Sequence, residues 1–177
     1  YFKAHFNMGN ALKDTGDTNA AIDSYKKALK IKPDYVEAYL NIGNILREKE
    51  DLDASIFSYN EALRIRPDYA EAHFNLALIQ QNKGELNAAV DSYKKAIKLK
   101  PDYTDAYNNL GIAFNLQGEL DAAIGNYKAA IKFRPDYADA YNNLGNAFKS
   151  KGKLDAAVDS YKKAIKLKPD YAEAHYN

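Results

Sequence analysis

The sequence predicts an all-α array of stacked helix pairs, and three observations carry that reading. The triplet Pro-Asp-Tyr recurs every 34 residues, at Pro33, Pro67, Pro101, Pro135 and Pro169. These are the only 5 prolines, so none interrupts the segments between triplets. Within each segment the apolar residues follow helical spacing rather than the alternation of a strand. A period of this length marks helix-turn-helix repeats that bury their apolar faces only against their neighbours. Such an array presents a long surface in place of an enclosed pocket, which favours binding over catalysis.

The repeat from Val36 to Pro67 shows how each element arises. Asp34 and Glu37 have the spacing of a capping box, which predicts Asp34 as the N-cap. The pattern recurs at Asp68/Glu71, Asp102/Asp105, Asp136/Asp139 and Asp170/Glu173. A first helix then runs to about Lys49. Tyr39, Ile42 and Leu46 fall on one of its faces, and Gly43 on that face admits a close neighbour. The turn that follows carries Gly16, Gly84, Gly118 or Gly152 in four repeats. Glu50 stands there in the second repeat, where a left-handed residue other than Gly is disfavoured. A second helix starts near Asp53 and turns Ile56, Tyr59, Ala62, Leu63 and Ile65 toward the core. Pro67 ends it. The third repeat departs most from the pattern. Ala77 replaces the small Gly, and Gln80 takes an aromatic or Leu slot, where burial would demand hydrogen-bond partners.

These residues resemble the tetratricopeptide repeat. The clearest copy reads Tyr141-x2-Leu144-Gly145-x2-Phe148, then Ala157-x3-Tyr161, then Pro169. The resemblance covers the chain as a single array, with repeats at about 2–35, 36–69, 70–103, 104–137 and 138–171 and the start of a sixth at 172–177. It implies a right-handed superhelical solenoid of antiparallel helix pairs. It also implies a concave groove, lined by the first helices, that binds peptide segments of partner proteins. Tyr1 stands in the slot of Tyr35, and the register runs out of both ends, which predicts a piece of a longer array.

Composition narrows the function. With 25 basic and 24 acidic residues, a net charge of +1 gives no global pull toward nucleic acid or an anionic membrane. The lysines late in the second helices, such as Lys162, Lys163, Lys166 and Lys168, read as a solvated face that opposes the helix dipole. No apolar run is long enough to span a bilayer. The chain has 0 cysteines, which leaves no disulfide or thiolate metal site and fits a reducing compartment such as the cytoplasm. His5, His73 and His175 share a slot that other repeats fill with Tyr39, Tyr107 and Tyr141, in repeats too far apart to converge on one metal. No Gly-rich phosphate loop and no nucleophile-base cluster appears. The chain reads as no enzyme, with no metal and no cofactor.

One feature asks for a functional reason. Asn7, Asn41, Asn75, Asn109, Asn143 and Asn177 occupy one slot. Steps of about 100° per residue put Asn41 roughly opposite Tyr39, Ile42 and Leu46. Mid-helix Asn costs up to ~0.7 kcal/mol against Ala. Each side-chain amide offers two donors and an acceptor, so it can pair with both groups of a peptide bond. A row of them suits an extended peptide held through its backbone, with Asn10, Asn44 and Asn146 beside it. The alternative is that the amides bond within the scaffold or to water. The slot resembles the asparagine ladder in the tetratricopeptide superhelix of O-linked N-acetylglucosamine transferase. Phe74 and Leu78, and likewise Ile112 and Leu116, lie four residues apart on or near the same face. They predict an apolar interaction patch, unless they pack laterally between helices. The acids Glu37, Glu71, Asp105 and Asp139 argue against capture of a terminal carboxylate.

The leading reading is a non-catalytic scaffold for protein or peptide segments. A second is a homo-oligomer built by end-to-end stacking. Exposed Phe2 and Phe6 would meet Ala172, Ala174 and Tyr176 of another copy. A third is the substrate-targeting arm of a larger enzyme such as a glycosyltransferase, which only flanking sequence decides.

Overall fold

A computed structural model describes residues 1–169. Among the described residues the chain forms ten helices and no strand. They are α1 (Phe2–Asp14), α2 (Thr18–Ile31), α3 (Val36–Glu48), α4 (Leu52–Ile65), α5 (Ala70–Asn82), α6 (Leu86–Leu99), α7 (Thr104–Leu116), α8 (Leu120–Phe133), α9 (Ala138–Ser150) and α10 (Leu154–Leu167). The chain divides into two compact units, Tyr1–Ile79 and a second that begins at Gln80. In the first unit α1 packs on α2, α2 on α3 and α3 on α4. In the second, α6 packs on α7, α7 on α8, α8 on α9 and α9 on α10. Within each unit these helices thus meet a pair partner and a helix of the adjoining repeat.

A tyrosine pressed against a glycine closes four of the five pairs. Tyr25, Tyr59, Tyr127 and Tyr161, from α2, α4, α8 and α10, are buried. A Cβ at Gly9, Gly43, Gly111 or Gly145 would lie 2.5, 2.6, 2.6 or 2.5 Å from the ring of that tyrosine. No real Cβ approaches a ring so closely, so the ring fills the volume a side chain would need. Small residues complete the packing. Ala21, Ala28, Ala62, Ala123, Ala130, Ala157 and Ala164 are buried along the same second helices. Ser55 replaces Ala in one slot, and its buried Oγ donates to the Gly43 carbonyl at 2.7 Å.

The structure corrects two local expectations. Asp34, Asp102 and Asp136 are not N-caps. The capping residues of α3, α7 and α9 are Tyr35, Tyr103 and Tyr137, without a side-chain cap bond. The Pro-Asp pair forms a turn of its own and leaves Asp one residue too early. Side-chain caps form at two second helices instead, where Asp17 accepts from Ala20 N at 3.1 Å and Asp51 from Ala54 N at 3.3 Å. Phe2 and Phe6 are half-buried rather than exposed. Tyr35 folds back over α1, with ring centroids 5.0 Å from Phe2 and 4.8 Å from Phe6.

Two irregular residues keep their strain. Glu50 holds φ at 62°, the conformation that Gly16, Gly84, Gly118 and Gly152 supply elsewhere. Gln80 is half-buried, and its Oε1 is buried with no hydrogen-bond partner.

Glycine substitutions separate the steric role from helix propensity. Gly43→Ala should lower stability by about 1 kcal/mol or more, because overpacking against the Tyr59 ring outweighs the propensity gain. Gly125 lies in α8 with open space around its Cβ position. Gly125→Ala should stabilise by about 0.5–1 kcal/mol. Urea unfolding followed by circular dichroism checks both, and equal signs would refute the packing account.

Candidate functional site

The asparagine slots lie on the first helix of each repeat, next to the hydroxyl ends of the closing tyrosines. In the first unit, Asn10 Oδ1 accepts the Tyr25 hydroxyl at 2.8 Å and Asn41 Nδ2 at 3.1 Å. One period later, Asn44 Oδ1 accepts the Tyr59 hydroxyl at 2.7 Å and Asn75 Nδ2 at 3.0 Å. Both lone pairs of each carbonyl are thereby used. The bonds run from a second helix to its own first helix and on to the next first helix. A buried hydroxyl without a partner would cost free energy, so Asn10 and Asn44 anchor the tyrosines. Asn75 is only 6% exposed, and Asn41 and Asn75 take part in the scaffold.

The arrangement changes where Leu78 and Ile112 replace that asparagine. In the second unit Tyr93 donates its hydroxyl to Gln81 Oε1 at 3.2 Å. Gln81 stands three residues after Leu78, one turn along the same face. Asn115 stands three after Ile112 in the same slot as Gln81. Its side chain is one methylene shorter, and its Oδ1 is buried without a partner. Burial alone raises the Tyr127 pKa. The repeats that keep the anchoring Asn carry a cation three residues on, namely Lys13, Arg47 and Lys149. In the last of these, Asn146 Oδ1 accepts the Tyr161 hydroxyl at 2.8 Å.

The row asparagines of the second unit bond differently from those of the first. Asn109 Nδ2 donates to the Asp105 carbonyl of its own helix at 2.8 Å. Asn143 Nδ2 donates to Asn108 Oδ1 at 3.1 Å. Asn142 shares the slot of Asn108, is 2% exposed, and has a buried Oδ1 without a partner. Of the other predicted positions, Asn7 is exposed and Asn41, Asn109 and Asn143 are half-buried. Phe74, Leu78 and Ile112 are also half-buried, whereas Leu116 is 59% exposed. Asn177 lies outside the described residues.

Charges nearby are paired within repeats. Arg66 donates to Glu37 Oε1 at 2.9 Å and stands 4.9 Å from the Tyr69 ring centroid. Arg134 donates to Asp105 Oδ1 at 3.1 Å and stands 4.5 Å from the Tyr137 ring centroid. Burial first, then the Asp105 charge, pushes the Tyr137 hydroxyl up to about 12. Two of the acids that argued against carboxylate capture are therefore already neutralised by an arginine. His73 Nε2 donates to the Pro67 carbonyl at 2.9 Å, a structural role. His175 lies outside the described residues. Among the described residues no group of three His, Cys, Asp or Glu side chains could hold a metal ion. No described helix is long and apolar enough to cross a membrane.

Sequence reasoning missed the tyrosine anchors. A signal was present, because Asn10/Lys13, Asn44/Arg47 and Asn146/Lys149 contrast with Leu78/Gln81 and Ile112/Asn115. The amide moves by three residues whenever the first slot becomes apolar.

The family described as TPR repeat matches residues 9–46, 43–84, 82–118, 113–152 and 145–177. No curated protein matches the chain. The crystal structure of MamA is 33% identical, with 93% of this chain and 96% of that chain covered and a TM-score of 0.85. YrrB, described as a TPR protein with an unusual peptide-binding site, is 25% identical over 97% of this chain and 89% of its own, with a TM-score of 0.82. The MamA 41-end structure from Desulfovibrio magneticus RS-1 is 18% identical with 97% of each chain covered, and its TM-score of 0.87 supports the fold alone.

The closing tyrosines set an alkaline limit on stability. Burial raises the pKa of Tyr25, Tyr59, Tyr93, Tyr127 and Tyr161 above the ordinary tyrosine value. A group with a raised folded pKa stabilises the fold fully below its unfolded pKa and loses that contribution as pH rises through the folded value. Stability should hold to about pH 10 and fall above it. Tyrosinate absorbance should then appear together with loss of helical circular dichroism, and Tyr127→Phe should move the transition to higher pH.

Proposed function

The chain belongs to the tetratricopeptide-repeat family, and on that premise we propose that it is a non-catalytic scaffold that holds extended segments of partner proteins along its first helices. One observation carries the reading. The row asparagine is present in all five described repeats, yet its bonds differ among them. Asn41 and Asn75 bond to the preceding repeat's Asn, Asn109 bonds to its own helix, and Asn143 bonds to Asn108. An amide kept only for one scaffold bond would have changed when its acceptor changed. A shared demand from a ligand backbone accounts for the constancy, because a peptide presents the same groups at every step. The description of YrrB as peptide-binding supports the same ligand class here.

The apolar positions give such a groove its selectivity, with Phe74 and Leu78 serving the first unit and Ile112 and Leu116 the second. Asn10, Asn44 and Asn146 act by holding the tyrosines and through them the spacing of the first helices.

Head-to-tail association has one observation in its favour. On α10, Leu154 is 63% and Val158 48% exposed, whereas Ile22, Val90 and Ile124 in the slot of Val158 are buried. A second copy of the chain would cover this face. Val158→Asp should abolish any concentration-dependent rise in sedimentation mass. The same rise in the variant would remove this face from consideration.

Peptides selected from a displayed random library test the scaffold reading. Amide chemical-shift changes on binding should concentrate on α1, α3, α5, α7 and α9. Changes confined to α2, α4, α6, α8 and α10, or failure to select any peptide, would refute it.

A further inference from the structure

The two units differ on the side of the first helices away from the asparagine row, where neither the row nor the groove takes part. We propose that the first unit carries a separate docking site, a cleft between α2, α3 and α4 that takes an aromatic side chain of a partner protein between Lys26 and Phe57.

In the second unit the corresponding place is filled from within. Lys94 of α6 stands 5.5 Å from the ring centroid of Phe114 on α7. One repeat on, Lys128 of α8 stands 5.6 Å from the ring centroid of Phe148 on α9. The ring occupies the space between the helices, and the lysine covers its face with both stem and ammonium. In the first unit the same two slots hold Lys26 on α2 and Leu46 on α3. Leu46 has no aromatic face to offer, and Lys26 stands over no ring among the described residues. A cleft of about 410 Å³ is left open there, with Ile22, Lys26, Leu29, Ile42, Leu46 and Phe57 in its walls. That volume falls within the roughly 300–1,000 Å³ of ligand sites. Ile22 and Ile42 are buried and give the cleft an apolar floor.

An aromatic residue stands instead on the rim. Phe57 on α4 is 64% exposed, in a slot that the other repeats fill with Asp23, Asp91, Gly125 and Asp159. A lone exposed Phe is ordinary on a protein surface. One that borders an apolar cleft, with a cation on the same rim, extends the wall of that cleft into solvent. The occupant follows from what the second unit places here. A ring entering beside Leu46 takes the position of Phe114 and Phe148, turns its negative face to the Lys26 ammonium and packs against Phe57. An aliphatic side chain would fill the volume without the attraction to Lys26. A carboxylate would lose its hydration against Ile22 and Ile42. Lys26 and Phe57 are both exposed, so the rim lies at the surface and a ring carried on a polypeptide can reach it. Ile42 and Leu46 lie roughly opposite Asn41 on α3, so a ligand along the asparagine row and a ring in the cleft do not compete.

The test uses the 177-residue chain, labelled with carbon-13 and nitrogen-15. The probes are capped pentapeptides, Ser-Ala-X-Ala-Ser, in which X is Phe, cyclohexylalanine or Ala. The Phe peptide should shift the methyl signals of Ile22, Ile42 and Leu46 saturably, with nuclear Overhauser contacts between its ring and Phe57. It should bind about threefold more tightly than the cyclohexylalanine peptide, the margin of an exposed cation–π contact. The Ala peptide should bind about tenfold more weakly or not at all. Leu46→Phe supplies the ring of the fourth and fifth repeats and should abolish binding with helical circular dichroism intact. Phe57→Asp places the commonest residue of its slot at an exposed position, so it should leave the melting temperature unchanged and weaken binding about tenfold. If the Leu46→Phe chain unfolds, Phe57→Asp alone decides. Undiminished binding by the Phe57→Asp chain would overturn the proposal. So would equal affinity for the Phe and cyclohexylalanine peptides, or methyl shifts that fail to saturate. Shifts at the Asn41 and Asn75 side-chain amides in place of the cleft methyls would overturn it while favouring the groove reading, which otherwise stands or falls on its own test.

Discussion

The buried tyrosine of each second helix is the constraint on which the rest depends. Its ring occupies the space above a glycine, as at Gly43 and Tyr59, and so sets how closely the two helices of a pair approach. Its hydroxyl cannot enter the interior without an acceptor. The ring therefore dictates a small residue at one slot of the first helix and a polar one close by. Asn44 meets that second demand in its own repeat and passes a bond to Asn75 of the next. One aromatic side chain thus links the closure of a pair to the stacking of its neighbour.

That link explains why polar residues persist on a helical face where propensity alone would favour Ala or Leu. It also explains how the face can change. Moving the acceptor one turn, from the slot of Leu78 to Gln81, frees a position without stranding the Tyr93 hydroxyl. The same move at Ile112 and Asn115 is incomplete, since Asn115 Oδ1 remains buried and unbonded. Stability and surface chemistry are traded at these positions, repeat by repeat, while the helices stay in place.

The helix pairs were legible in the sequence because steric punctuation is local. Pro33 and its counterparts end helices wherever they occur, and Gly84 marks a left-handed turn without reference to anything distant. The first-helix caps were misread because Asp34 matches a capping pattern, yet the Pro-Asp turn delays the helix until Val36. The asparagine row was legible as a row, but its partners were not. Asn41 meets Asn10 across 31 residues, and Asn10 meets Tyr25 across 15, and such pairings follow from packing rather than from helical spacing. Phe2 was misread as an exposed end for the same reason, since Tyr35 reaches it only once the chain has folded back.

The bond between tyrosine and anchoring asparagine couples pair closure to stacking, and a double-mutant cycle measures it. The cycle comprises Tyr59→Phe, Asn44→Ile and the double variant, of which Asn44→Ile gives the second repeat the residue of the fourth. Unfolding by denaturant, fitted with nearest-neighbour coupling between repeats, gives the free energy of each. A coupling of about 1 kcal/mol or more is predicted, the range for a buried side-chain hydrogen bond. A coupling indistinguishable from zero would contradict the account, since the tyrosine would then need no acceptor and the asparagines no reason to follow it.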